Sequence, residues 1–300
     1  MRGTVARTEG LVRGIIADVV VPYSKAEEPD LDRLAAEVKL LDASGVDGLS
    51  LGNVLGGTLG ATATELAQLC AVMRRSSRKS IFVILFPDAS PEGLEMARAV
   101  DDAGADALLA AQPHYLAQPG IDGLEEMFAA FREVTDLPLL VADCLPGSIL
   151  GVAAIRRLAQ KRLVDGVLEG ADFHVLVDLL NLDLGVPVYS AVEDLHFSAL
   201  ILGASGIISN LATAFPRECV ALGQFVRDGD YANARKLHER LVRLWRAVSL
   251  GAEREERLRV AMAAAHRPVG PARSPYNKIP EHAIQQVHQV MKNEGVFAGS

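Results

Sequence analysis

The chain has 300 residues, 50% of them hydrophobic and 23% charged, with a formal net charge of −8; this is an ordinary soluble composition, long enough for one large barrel or two domains. Its acids are spread along the chain, and the short run Arg74, Arg75, Arg78, Lys79 reads as a solvated helix end, so there is no basic face for nucleic acid. Cys70, Cys144 and Cys219 are too few and too far apart for a disulfide framework, no apolar run approaches the ~20 residues of a membrane span, and residues 1–13 are too polar for a signal peptide, so the expectation is a cytoplasmic protein with neither a membrane nor a nucleic-acid partner.

From the N-terminus, the apolar runs 14–21, 47–52, 80–86, 106–112, 138–143, 164–169, 186–190 and 205–209 predict eight strands. Amphipathic segments such as 30–44, 90–104 and 122–135 separate them, and Thr62-Ala63-Thr64-Glu65 is a capping box that opens another helix. One phrase recurs at the entrance to strands: Gly45-Val46-Asp47-Gly48-Leu49, Gly104-Ala105-Asp106-Ala107-Leu108, Leu163-Val164-Asp165-Gly166-Val167 and Gly203-Ala204-Ser205-Gly206-Ile207. It reads as a helix C-terminus, a small-residue turn and a buried parallel strand. Alternation of this kind predicts an α/β fold, a (β/α)8 TIM barrel, over residues 1–214. Past 215 the strands stop. Segments 215–228, 231–249, 252–266 and 280–294 read as helices, interrupted by a loop carrying Pro268, Gly270, Pro271, Pro275 and Pro280. The expectation is a helical extension, 215–300, packed on the barrel.

Several of these phrases resemble the dihydrodipicolinate synthase / N-acetylneuraminate lyase family of class I aldolases. Gly14-Ile15-Ile16 leading to Pro22-Tyr23 looks like the family's first strand and Thr-Pro-Phe turn. Pro113-His114-Tyr115 resembles its Pro-Tyr-Tyr segment, and Leu202-Gly203-Ala204-Ser205-Gly206-Ile207-Ile208-Ser209 its Leu-Gly-Ala-x-Gly-Val-Ile-Ser. The resemblance covers essentially the whole chain. It implies a barrel with added C-terminal helices, a homodimer or homotetramer, and a lyase that forms a Schiff base between a lysine and a keto acid.

At the chemical positions the sequence departs from that pattern. The family's sixth strand ends Gly-hydrophobic-Lys-Glu; here it reads Gly166-Val167-Leu168-Glu169, and a leucine cannot form an imine. The family's Gly-Thr-Thr-Gly-Glu loop becomes Gly52-Asn53-Val54-Leu55-Gly56-Gly57. Ala142 or Asp143 takes the position of its catalytic tyrosine, and Ser148 that of its arginine. Only Tyr115 survives, matching a tyrosine that the family donates across a dimer interface. None of the seven lysines falls at the C-terminal end of a predicted strand.

Barrel enzymes work at that end. The polar residues predicted there are Asp18, Asn53, Asp88, Gln112, His114, Asp143, Cys144, Glu169, Glu193, Asp194 and Asn210. Asp18 interrupts an apolar strand and faces inward if Ile16 and Val20 do; a buried carboxylate needs a partner or a raised pKa. The candidate catalytic residues are therefore Asp18, Asp143, Tyr115 and His114, with a pocket lined by Asn53, Val54, Leu55, Leu168, Ala191 and Ile208. Each acid also has a plainer reading, Asp18 as a loop cap or ion-pair member and Glu169 as structural; Asp106 and Asp165 start strands at the opposite end and read as stability residues. Three function classes stay open: a lyase acting on a small oxo acid or sugar-acid-like metabolite without an imine, a non-catalytic relative that binds a metabolite or regulates a paralogue, and a metal-assisted lyase with Asp18, Asp143 and His114 as ligands. Val54, Leu55 and Leu168 suggest a substrate larger or less charged than pyruvate. No zinc-ligand spacing occurs and no cofactor is implied.

Overall fold

Three aspartates at strand entrances register neighbouring strands of the barrel. The N–H of Asp47 donates to the Ile15 carbonyl at 2.7 Å, and its carboxylate accepts the Ile15 N–H at 2.8 Å. Asp106 makes the same reciprocal pair with Ile81, and Asp165 with Leu139. The recurring phrase is thus a register device at the N-terminal end of the barrel. It leads into strands that are buried on both faces, as parallel strands are.

The computed structural model describes residues 11–113, 118–145 and 147–296. Eight parallel strands close in sequence order, with the last pairing back onto the first. They are β1 (Gly14–Asp18), β2 (Gly48–Leu51), β3 (Ser80–Leu85), β4 (Ala107–Ala111), β5 (Leu139–Asp143), β6 (Gly166–Glu169), β7 (Val188–Ser190) and β8 (Gly206–Ser209). The helices of the barrel are α1 (Leu31–Ala43), α2 (Ala63–Ser76), α3 (Ser90–Asp102), α4 (Ile121–Val134), α5 (Gly151–Gln160), α6 (Phe173–Asn181), α7 (His196–Ile201) and α8 (Asn210–Ala214). Beyond them come α9 (Pro216–Arg227), α10 (Tyr231–Ser249), α11 (Arg254–Ala264) and α12 (Glu281–Asn293). Among the described residues no helix is long and apolar enough to cross a membrane.

Most element boundaries lie one or two residues from the sequence expectation, and two differences have a clear local cause. The first strand ends at Asp18 rather than at 21, because the chain there leaves the barrel: the Val19 and Val21 N–H groups donate to Ser50 and Gly56 carbonyls at 2.8 and 2.9 Å. The expected helix from 215 is preceded by the short α8, and Pro216 opens α9 where its missing N–H is not needed.

Strand parity divides the core in two. Ile16, Phe82, Leu109, Leu140, Ala142 and Leu168 belong to the cluster inside the barrel. Ile15, Ala17, Val83, Leu108, Val141 and Val167 belong to the layer beneath the helices. Side chains alternate along a strand, so each strand's last residue inherits its direction from the residue two before it.

The later helices are fastened to the barrel's C-terminal rim. Arg259 of α11 donates to the Val21 carbonyl at 3.0 Å and pairs with Glu255 at 3.0 Å. Arg273 stacks 4.3 Å from the centre of the Tyr23 ring and pairs with Glu65, while the Tyr23 hydroxyl donates to the Gly57 carbonyl at 2.8 Å. Cation–π contact and ion pairing together fix the loop after β2 against the helical extension.

Candidate functional site

Asp18 closes β1 and follows Ile16 into the barrel. It is 0% exposed. Its carboxyl accepts a hydrogen bond from Ser50 Oγ at 2.7 Å and another from Asn210 Nδ2 at 2.6 Å. Asn210 in turn accepts from Asn53 Nδ2 at 3.3 Å, so the two amides share one line with the acid. Burial pushes the Asp18 pKa up to about 7; the Ser50 and Asn210 hydrogen bonds pull against that rise, and the charge of Glu193 adds to it.

Beyond this line lies a cavity of about 430 Å3 at the C-terminal ends of the strands. Asn53, Val54, Leu55 and Leu59 supply one wall, from the end of β2 and its 3-10 turn (Val54–Gly56). Cys144, Gly170, Ala191, Glu193 and Asn210 supply the side above the later strands. The remaining wall is Trp245, Gly251, Ala252, Arg254, Glu255 and Tyr276, all from the helical extension. A larger cavity, about 520 Å3, opens at the other end of the barrel beside Leu11, Asp183 and Ser205. The Asp18 network and the strand C-termini place the candidate site in the former.

Most acids near this site are already engaged. Glu193 accepts from the Asn210 N–H and from Ser209 Oγ, both at 2.6 Å, and lies 3.3 Å from Nε2 of buried His196. Glu255 is held by Arg259. Burial, aided by nearby carboxylates, holds the Cys144 thiol up at about 12, which fits a structural cysteine rather than a nucleophile.

Of the residues the sequence reading gave to the pocket, Asn53, Val54, Leu55 and Ala191 line this cavity. Asp18 is buried just behind Asn210 and is not itself part of the wall. Leu168 and Ile208 are corrections: they are 1% and 0% exposed, pack in the apolar cluster inside the barrel, and do not reach the cavity. Asp143 is a further correction. Ala142 takes the inward position, so Asp143 points outward and accepts from the N–H groups of Leu150 and Gly151 at 3.0 and 3.3 Å, at the start of α5. Its register partner Glu169 points the same way and accepts from the Ala171 and Asp172 N–H groups, each at 2.9 Å. Asp18 and Asp143 therefore do not share a pocket, and among the described residues no three His, Cys, Asp or Glu side chains gather as metal ligands. His114 and Tyr115 lie outside the described residues. The sequence reading missed Leu59, Trp245, Arg254 and Tyr276, because a strand-end rule carries no signal for walls contributed by longer loops and by the later helices.

The sequence profile of the dihydrodipicolinate synthetase family matches residues 11–294. The chain belongs to this family. It is 28% identical over 274 residues to a 4-hydroxy-tetrahydrodipicolinate synthase of Methanothrix thermoacetophila, covering 88% of this chain and 90% of that relative. It is 24% identical over 298 residues to the enzyme of that name from Methanocaldococcus jannaschii, covering 96% and 100%. In fold it is similar to a family member from the E. coli K12 prophage, solved with pyruvate, at TM-score 0.89 and 23% identity over 95% of this chain and 99% of that one. It is equally similar to a monomeric dihydrodipicolinate synthase variant, at TM-score 0.89 and 20% identity over 97% and 99%. The family assignment gives the chain a lyase scaffold of the aldolase type; the chemistry has to be argued from the site itself.

Proposed function

We propose that this member of the family takes a small oxo-acid or sugar-acid-like metabolite into the 430 Å3 cavity and acts on it without a lysine Schiff base. One observation carries this reading: no lysine lines the cavity, while a carboxyl with a pKa of about 7 lies directly behind Asn210 in its wall. A carboxyl in that range changes protonation near neutral pH, and because it lies behind the wall, Asp18 would act through Asn210 as a positioning residue rather than meet the substrate itself. Asn53 and Asn210 would orient the substrate's oxygens, and Asp18 would set the polarity of the Asn210 amide. Leu168, at the position of the family's lysine by resemblance, is buried and inert.

A second reading is favoured by the saturation of Glu193 and Glu255, which leaves little free acid in the wall: a non-catalytic relative that binds a metabolite or regulates a paralogue. Two measurements separate the readings. Intact mass after borohydride reduction with pyruvate should show no adduct, and a stoichiometric adduct on an internal lysine would overturn the first reading. NMR of the full-length protein with a panel of oxo acids and sugar acids should show turnover that Asp18→Asn abolishes; binding without turnover selects the second reading. The protein should work in the cytoplasm as a homodimer or homotetramer, and light scattering that gives a monomer at micromolar concentration would contradict that assembly.

A further inference from the structure

We propose that the cavity is built for a ligand with one anionic group and an apolar, ring-sized body. This inference rests on the cavity being the binding site, as argued above, and concerns what it selects. Its wall is unusually apolar where it should meet water: Val54 is 36% exposed, Leu59 45% and Tyr276 48%. Single exposed apolar residues are ordinary. Here they come from separate parts of the chain, the 3-10 turn after β2, the loop beyond it and the loop before α12, and converge on one cavity with the half-buried Trp245 of α10. A three-carbon acid offers no ring or chain to cover such a surface. The volume falls toward the lower end of the roughly 300–1,000 Å3 typical of small-molecule pockets.

Arg254 supplies the charge. Its neighbours on α11 are spoken for: Arg257 pairs with Glu253 and Arg259 with Glu255. Arg254 is exposed, lines the cavity, and among the described residues pairs with no carboxylate. It also sits in the first turn of α11, where the helix dipole disfavours a cation, so helix stability does not account for it. Of the two acids of the wall, Glu255 is paired with Arg259, and Glu193, which keeps its charge, is held by Ser209 and Asn210 on the side above the later strands rather than by Arg254. A guanidinium at the rim of an apolar cavity matches a carboxylate at one end of an apolar body.

Trp245 is the only tryptophan in the chain, so its fluorescence reports on this wall alone. The full-length protein is titrated with 3-phenylpropionate, 3-phenylpropanol and pyruvate, with calorimetry as a second readout. The acid with the ring should bind at least about tenfold more tightly than pyruvate. Arg254→Gln should weaken 3-phenylpropionate about fivefold to tenfold and leave 3-phenylpropanol unchanged, while Leu59→Ser should weaken both; circular dichroism checks that each variant is folded. No saturable binding of 3-phenylpropionate up to about 10 mM, equal affinity for pyruvate, or an Arg254→Gln variant that treats acid and alcohol alike would overturn the inference. Binding of the aromatic acid together with no turnover of any oxo acid or sugar acid in the panel would leave it standing while removing the catalytic reading. A borohydride-trapped pyruvate adduct would remove the imine-free reading without deciding the preference measured in this titration.

Discussion

The Asn210 amide donates to the Asp18 carboxyl at 2.6 Å from the far end of the barrel sequence, 192 residues away. Ser209 caps α8 through the Ala212 N–H and so holds Asn210 at the first position of that helix. The acid at the end of β1 and the amide after β8 are neighbours because the barrel closes β8 onto β1.

The first prediction concerns that pair. Asp18 has a pKa of about 7 in the folded protein against 3.8 ordinarily, so folding takes up a proton between those values. Its contribution to stability is fully present below about pH 4 and is lost as pH rises through 7, a change of at most roughly 4 kcal/mol. Asp18→Asn mimics the protonated form: its oxygen can accept from Asn210 and its amide can donate to Ser50. Urea denaturation at pH 5 and pH 8 should show a smaller loss of stability in the variant than in the parent. Equal losses would show that Asp18 is ionised at both pH values.

Glu169 and Asp143 carry the same logic to the outer face. They are register partners, both buried, and burial pushes both pKa values up. Two adjacent buried carboxyls favour retention of a proton. The stability they give is likewise lost as pH rises through their raised values. Glu169→Gln keeps an oxygen for the Ala171 and Asp172 N–H groups while removing one charge. Its stability at pH 9, relative to the parent, should exceed its relative stability at pH 6. An unchanged difference would argue against a shared proton.

How much of this was legible in the sequence differs by residue. The eight strands were, because each must be a short apolar run and four are announced by a similar turn, three of those turns carrying an aspartate. The inward direction of Asp18 was legible too, since Ile16 precedes it by two. Ala142 and Asp143 were not separable, because a one-residue ambiguity in length flips every side chain to the other face. The wall of Trp245, Arg254 and Tyr276 was invisible because it depends on where α10, α11 and the proline-rich loop pack against the barrel. That packing is set by distant pairs such as Arg273 with Glu65 and Arg259 with Val21.

The aspartates at the strand entrances should matter for stability and not for ligand binding. Asp165 is 4% exposed, accepts the Leu139 N–H at 2.9 Å and pairs with Arg132 at 2.6 Å. Asp165→Ala would leave a buried guanidinium and a backbone N–H without this partner, at a cost of roughly 3–5 kcal/mol. Denaturant unfolding checks the loss, and calorimetry with 3-phenylpropionate under stabilising conditions should give an unchanged affinity. A variant as stable as the parent would mean that the recurring aspartate has no registering role.

The last prediction tests whether restoring the lysine restores the family chemistry. Leu168 is 1% exposed and packs with Ile16, Leu140, Ala142 and Ile208 inside the barrel. Leu168→Lys would place an ammonium among aliphatic side chains, and burial of that charge favours the neutral amine and lowers its pKa by up to ~3–5 units. A neutral amine is the form that attacks a carbonyl, so reactivity alone is not the obstacle. The obstacles are the missing hydroxyls in the loop 52–57 and the serine at 148, which leave a keto-acid carboxylate without the partners that the resemblance assigns to those positions, and the alanine at 142, which stands where the resemblance places the catalytic tyrosine. The variant should therefore lose roughly 3–5 kcal/mol of stability and trap little pyruvate on borohydride reduction. If Leu168→Lys stays near parental stability and forms a stoichiometric pyruvate adduct, the changes at the loop 52–57, at Ala142 and at Ser148 do not exclude keto acids, and the loss of imine chemistry rests on the missing lysine alone.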